Sequence, residues 1–206
     1  MRYAPFALLA ALLLAAVAPG AEARMLGDPA VPFSAERTLT IGERTFTGKL
    51  FATPGAQRHE QVIDGIEQVF ILHGDTAKGW LVLPAVRSYV EFGFAPAAIE
   101  LSDPNLLSTP VGHEIIEGRK TTEYRIEHTA RDGTMVDGYL WLTREGIPMK
   151  LDGEYVAPHG GKPVPVRMTL SDVRLGQQNP ALFAVPQHLV RLPTGALSQL
   201  LGARPG

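Results

Sequence analysis

The sequence contains no cysteine among its 206 residues. This absence excludes disulfides, thiolate metal sites, a cysteine nucleophile and the lipid-modified cysteine that tethers exported lipoproteins. An excess of charge of one sign is also missing, because the formal net charge is −2. Nucleic-acid binding needs a clustered basic face, so we expect no nucleic-acid partner.

Recognisable catalytic motifs are missing as well. The chain has no Gly-x-Ser-x-Gly elbow, no Ser-x-x-Lys and no Gly-rich phosphate loop. Its six histidines do not lie at metal-ligand spacing, and "HEIIE" at 113–117 lacks the second histidine of a zinc-peptidase helix. We therefore expect no cofactor, no metal and no enzymatic activity. A weaker alternative is an envelope hydrolase that uses His128 and Asp137.

Long hydrophobic runs are limited to one, Phe6 to Ala18. Arg2 precedes it, and the small-x-small sequence Ala21-Glu22-Ala23 follows, which is typical of a cleavage site. The run is shorter than the roughly 20 residues of a membrane-spanning helix. We interpret 1–23 as a cleaved signal peptide, with an N-terminal anchor as the alternative, and 24–206 as a single β domain with no transmembrane segment. Export without disulfides favours the bacterial periplasm.

Turn signals follow one another along the rest of the chain. Gly42-Glu43, Asp64-Gly65, Asp132-Gly133 and Gly160-Gly161 each fit a two-residue hairpin turn between runs of alternating polarity. This pattern predicts an all-β protein, a curved antiparallel sheet or half-barrel of about 10–11 strands. Short helices, predicted within 95–108 and 194–202, would cover the concave face.

The turns also predict which residues oppose each other in the second half of the chain. A two-residue turn at Gly160-Gly161 sets Tyr155 opposite Val166 and Leu151 opposite Leu170. Glycine adopts a positive φ readily, so we expect a three-residue loop at 144–146 with Gly146 in the left-handed region. That loop sets Trp141 opposite Met149 and Tyr139 opposite Leu151.

A two-residue turn at Asp132-Gly133 extends the same pairing to the preceding strand. It sets Tyr124 opposite Trp141 and His128 opposite Asp137. The three turns together predict one continuous apolar and aromatic face, because the side-chain period of a strand is two residues.

The first half of the chain gives a similar but less regular pattern. Gly42-Glu43 places Leu39 and Ile41 on the side of Phe46 and Leu50, and Pro84-Ala85 would set Trp80 opposite Tyr89. Around Asp64-Gly65 polar and apolar residues mix on both faces, which predicts a curved sheet edge or a bulge.

An apolar face in a single sheet must be covered, either by close packing or by a ligand. One hypothesis is a carrier for a lipid-like or acyl ligand lined by Trp80, Tyr89, Tyr139, Trp141, Met149, Tyr155 and Met168. The alternative is a non-enzymatic envelope interaction module with a fully packed core. Its protein partner would bind at a sheet edge or on the polar face with Arg125, Lys150 and Arg167.

Several segments carry a family resemblance. They are "FTGKLFATPGAQRHE" (46–60), "GWLVLPAVRSYVEF" (79–92), "GHEIIEGRKTTEYRIE" (112–127), "GYLWLTREGIPMKLDG" (138–153) and "LSDVRLGQQNPALFAVP" (170–186). The sequence resembles the LolA/LolB-like group of exported bacterial proteins, in particular its uncharacterised periplasmic branch. The resemblance implies an eleven-strand half-barrel closed by helices. In the best-known members its hydrophobic cavity holds the lipid tails of lipoproteins in transit to the outer membrane.

The chain departs from that family in two respects. It shows no clear counterpart of the carrier's N-terminal amphipathic helix, and it lacks the cysteine of the membrane-tethered acceptor. From the family resemblance we therefore infer for this chain only a role in binding a lipid or a related hydrophobic ligand.

Overall fold

The protein is described by a computed structural model that covers residues 29–93, 106–129, 133–158 and 160–195. Strands make up most of this part of the chain: β1 Phe33–Ile41, β2 Arg44–Thr53, β3 Ala56–Ile63, β4 Ile66–His73, β5 Lys78–Leu83, β6 Ser88–Gly93, β7 Leu107–Ile116, β8 Arg119–Thr129, β9 Met135–Thr143, β10 Pro148–Val156, β11 Val164–Leu175 and β12 Val190–Leu192. Two short 3-10 turns occur at Pro84–Val86 and Pro180–Phe183. The predicted signal peptide lies outside the described residues, and so does most of each predicted helical segment.

The strands form one sheet in the order β12-β6-β5-β4-β3-β2-β1-β11-β10-β9-β8-β7. Neighbours are antiparallel except β12, which lies parallel to β6. The prediction of an all-β fold built on a curved antiparallel sheet is confirmed. The sheet is open and mixed, with twelve strands rather than 10–11. Over the described ranges, no helix is long and apolar enough to span a membrane.

Two of the predicted hairpin turns are confirmed in detail. Ile41 pairs with Arg44 around Gly42-Glu43, with Gly42 at a φ of 60°. Ile63 pairs with Ile66 around Asp64-Gly65, where both turn residues have positive φ, as a type I′ turn requires. Each two-residue loop fixes which residues of its two strands pair, so the turn sets the register of the hairpin.

One face of the sheet carries the main hydrophobic core, and we call it the core face. Strands from opposite ends of the strand order contribute to the same cluster, for example Phe70 and Leu81 from β4 and β5, and Ile126 and Leu140 from β8 and β9. Because such distant strands share one cluster, the sheet curves around this face. In β1 and β2, the alternation of apolar and polar residues places the apolar side chains on this face. Leu39 pairs with Phe46, and both are buried there as predicted.

The opposite, outer face carries a second hydrophobic cluster. Val69, Ile71 and Val82 of β4 and β5 are buried there, and Val185 and Leu189 from the segment after β11 pack on them. β4 is therefore buried on both faces, which explains its uninterrupted apolar run "VFIL". The prediction of a curved sheet edge or a bulge around Asp64-Gly65 is wrong, because β3 and β4 are interior strands of the sheet. The register of this hairpin is regular from Ala56–His73 to Ile63–Ile66, and its mixed polarity reflects this double burial.

Two predicted registers are shifted by two residues. Tyr155 pairs with Val164 and not with Val166, because the connection after β10 is longer than a two-residue turn at Gly160-Gly161. Trp80 pairs with Glu91 and not with Tyr89, because a 3-10 turn and Arg87, with a φ of 50°, separate β5 from β6. A shift of two residues keeps each side chain on its face. Tyr155 is therefore still on the core face.

Candidate functional site

The core face holds three of the seven residues predicted to line a ligand site. Met149, Tyr155 and Met168 belong to the main hydrophobic cluster, and each is less than 10 % exposed. Leu151 pairs with Met168, and Met168 pairs with Leu39, so these side chains form one apolar surface across β10, β11 and β1.

The other four residues lie on the outer face. Trp80 and Tyr89 pack on the second cluster. The indole Nε1 of Trp80 donates a hydrogen bond to Glu91 Oε2 over 3.3 Å. Tyr139 is 42 % exposed, and Trp141 is buried under the Lys150 ammonium, which lies 3.9 Å from the ring centroid. The predicted common face of Tyr139, Trp141 and Met149 is therefore wrong.

The inversion of β9 has two local causes. Thr129 pairs with Met135, so β9 is displaced by one residue from the predicted pairing with β8. On its other side, a bulge between Pro148 and Lys150 displaces the pairing with β10 by one residue. The three-residue loop at 144–146 is confirmed, because Thr143 N donates to Ile147 O over 3.0 Å and Gly146 has a φ of 81°.

A consequence of this inversion is that His128 and Asp137 do not form a dyad. His128 pairs with Val136 on the core face, and Asp137 pairs with Glu127 on the outer face, where it forms an ion pair with Arg125. The predicted pairing of His128 with Asp137 is wrong. Within the described ranges, no group of three or more acidic or histidine side chains is placed to hold a metal ion.

A polar cluster lies inside the apolar core face. Arg37, which is 1 % exposed, donates from Nη2 to Gln61 Oε1 over 2.6 Å and from Nη1 to His59 Nδ1 over 3.1 Å. Because His59 Nδ1 accepts, its proton is on Nε2, which donates to Gln57 Oε1 over 3.1 Å. The imidazole is thus held in one tautomer between β1 and β3.

Gly48 makes this cluster possible. In the register of the sheet, Arg37 pairs with Gly48, and Gly48 pairs with Gln61. The guanidinium therefore has to cross the whole of β2 to reach Gln61. Glycine leaves that path open, because no side chain stands between the two residues.

Burial changes the acid–base properties of the cluster. It lowers the pKa of Arg37 to about 10, which leaves the guanidinium charged at neutral pH. Burial, followed by the nearby Arg37 charge, holds the pKa of His59 well below its ordinary value. His59 is therefore neutral at pH 7, and protonating it would place a second buried cation beside the first.

The burial of His59 predicts a loss of stability in mild acid. The unfolded state binds a proton near pH 6.5 whereas the folded state does so only at lower pH, so stability falls as the pH drops below about 6.5. Between pH 7.5 and 5.0, the fall in Tm should be about 6 °C smaller in His59→Gln than in the wild type, equivalent to about 2 kcal/mol in a chain of this size. The exposed His188 serves as the control, since His188→Gln should retain the wild-type pH dependence. An equal fall in Tm for His59→Gln and wild type would contradict this.

Sequence reasoning missed this cluster, although a signal was present. In "FSAERTLTI" the alternation places Arg37 on the same side as Phe33, Ala35, Leu39 and Ile41, all of which are buried. An arginine at a core-facing position of an otherwise apolar strand indicates a buried charge.

Comparison with solved structures gives likenesses at low identity. An uncharacterized conserved protein from Thermus thermophilus has a TM-score of 0.50 and 13 % identity, over 80 % of this chain and 91 % of that chain. The structure of MucB in complex with MucA(peri) has a TM-score of 0.48 and 16 % identity, over 79 % of this chain. The chain spans 57 % of the length of that MucB chain.

A third similar structure is the LolA superfamily protein NE2245 from Nitrosomonas europaea. It has a TM-score of 0.43 and 10 % identity, over 76 % of this chain and 91 % of that chain. No family model and no curated protein matches the sequence. At such low identities, what the likeness to the Thermus thermophilus protein establishes is a shared fold.

Proposed function

We propose that the chain is an exported periplasmic protein that holds a lipid-like or lipoprotein acyl ligand on the core face of its curved sheet. The observation that carries the proposal is the single-layered sheet whose two ends contribute to one apolar cluster. A curved sheet with an apolar interior is suited to enclosing a small apolar ligand. The family resemblance of the sequence implies the same role.

Three side chains are proposed to contact the ligand: Met149, Tyr155 and Met168. The two methionines supply flexible, polarizable groups that adapt to an acyl chain. The tyrosine adds a large apolar ring to the same surface. The other four residues, Trp80, Tyr89, Tyr139 and Trp141, lie on the outer face with packing or cation–π contacts within the chain, so they are not on the proposed binding surface.

Uptake of a neutral fluorescent dye, N-phenyl-1-naphthylamine, tests this proposal. The wild type should bind the dye, and Met168→Gln should weaken binding about 10-fold, because a polar amide replaces an apolar group on the binding surface. Met135 is 44 % exposed, whereas Met168 is 6 % exposed, so Met135→Gln is the matched control and should bind like the wild type.

Two outcomes would count against the proposal. Equal dye affinity in wild type and folded Met168→Gln would place the ligand elsewhere. The proposal would also be wrong if the wild type took up no dye and if native mass spectrometry showed the protein, purified gently from its own host, to be without ligand.

The exposed edge of the sheet favours a second candidate, an envelope interaction module. β7 ends the strand order, and Leu107, Val111 and Ile115 along it are each more than half exposed. An exposed edge strand with apolar side chains can pair with a strand of another protein. The polar face is a weaker candidate for a partner-binding surface than this edge, because Arg125, Lys150 and Arg167 are each ion-paired within the chain.

A further inference from the structure

The polar cluster on the core face carries a buried positive charge that is not ion-paired with any acidic side chain of the described residues. Across the described part of the chain, the hydrogen-bond partners of Arg37 are His59 and Gln61, both of them neutral. A buried arginine is ordinarily paired with a carboxylate, because an isolated charge is costly to remove from water. The cluster therefore lacks the anion that its charge calls for.

Two hydrogen-bond donors of the cluster are also without a partner. Arg37 Nε and Gln61 Nε2 are both buried and unbonded. The orientation of the Gln61 amide is fixed, because its oxygen accepts from Arg37 and its nitrogen must point away. A cation and two free N–H groups together form the donor set that a carboxylate accepts.

The surroundings of the cluster along the sheet are apolar except on β4, where the buried Gln68 pairs with Gln61 and its Oε1 is also without a partner. Leu170 pairs with Arg37 on one side, Leu50 pairs with His59, and Leu39 is the next core-facing residue of β1. Met168, one of the proposed ligand contacts, pairs with Leu39. An acyl chain that lies along this surface would therefore have one end beside the guanidinium.

We propose that Arg37 and Gln61 bind the carboxylate of an acyl ligand, so that the protein prefers fatty acids over uncharged lipids of the same chain length. This inference rests on the proposed function and specifies its ligand. The carboxylate accepts from Arg37 Nε and Gln61 Nε2, and the chain extends over Leu39 and Met168. Since both nitrogen atoms are covered, binding requires the side chains above them to move apart.

The test compares dodecanoic acid with 1-dodecanol, which differ at the headgroup and share the chain length. Each is titrated at pH 7.5 to displace N-phenyl-1-naphthylamine from the wild-type protein. The wild type should bind the acid about 10-fold more tightly than the alcohol, as a charge-assisted hydrogen bond allows.

Two variants locate the preference at the cluster. Arg37→Met removes the charge and keeps most of the side-chain length. Gln61→Glu supplies an internal carboxylate to Arg37 in nearly the same volume, so it remains informative if Arg37→Met does not fold. In both, the ratio of the affinities for dodecanoic acid and 1-dodecanol should fall from about 10 to about 1. Gln177 is exposed, and Gln177→Glu, with the same change in net charge, should keep the preference.

The outcomes separate the carboxylate site from the lipid-binding function on which it rests. Equal affinities of the wild type for acid and alcohol, or an acid preference that survives in Gln61→Glu, would overturn the carboxylate site and leave lipid binding intact. A wild type that binds neither compound and takes up no dye would overturn both. Circular dichroism of each variant establishes that the protein compared is folded.

Discussion

Replacing Leu140 by glutamine should cost about 4 kcal/mol of folding free energy, whereas the same replacement of Tyr139 should cost less than about 1 kcal/mol. Leu140 is 3 % exposed in the main cluster, so the substitution removes an apolar side chain from the core and buries an amide without partners. Tyr139 is on the outer face under the Arg125 guanidinium, where an amide can reach water. Urea unfolding of the two variants measures both values.

This pair of substitutions tests the face assignment of β9 directly. The register predicted from the sequence reverses the order, with Tyr139 in the core and Leu140 outside. A larger loss of stability for Tyr139→Gln than for Leu140→Gln would therefore show that the bulge between Pro148 and Lys150 is absent. Leu142, a further core residue of β9, offers a second test, because Leu142→Gln should behave like Leu140→Gln.

Alanine at position 48 should destabilise the fold by more than about 3 kcal/mol, a large effect for the addition of one methyl group. A Cβ atom on Gly48 would overlap the backbone carbonyl oxygen of Glu60 on β3. Backbone cannot move aside as a flexible side chain can, so the pairing of β2 with β3 would have to shift. The Arg37 side chain would also lose its open path to Gln61.

Gly93→Ala is the matched control for Gly48→Ala. A Cβ atom on Gly93 meets nothing within 4 Å, and its φ lies outside the left-handed region. Alanine there should change the free energy of unfolding by less than about 0.5 kcal/mol, as at other surface sites. If Gly48→Ala were as stable as Gly93→Ala in thermal unfolding, β2 and β3 would be farther apart than the structure places them.

The two substitutions concern different levels of organisation. The burial of Leu140 depends on the register of β9, because a single inserted residue moves every side chain of a strand to the opposite face. The need for glycine at position 48 depends on the short distance between the backbones of β2 and β3. Glycine there also lets Arg37 reach Gln61 across the intervening strand and form a hydrogen bond. Both features position the surface on which ligand binding is proposed.

The predicted register is wrong by one residue on each side of β9, and the two errors compensate each other for the strands beyond it. The connection before β9 displaces its pairing by one residue, and the bulge after it displaces the next pairing by one residue. The faces of β8 and β10 therefore agree with the sequence-based prediction, and only β9 is inverted. For this reason Met149, Tyr155 and Met168 are on the core face as expected while Tyr139 and Trp141 are not.

The sequence by itself determined the all-β class, the hairpins at Gly42-Glu43 and Asp64-Gly65, and the core-facing residues of β1 and β2. These features depend on turn chemistry and on a side-chain period of two, and both act over a few residues. Tertiary structure alone decided the face of β9, the burial of β4 on both sides, and the meeting of Arg37 with His59 and Gln61. Each of these depends on which distant segments become neighbours in the sheet, and the local pattern of a strand does not contain that information.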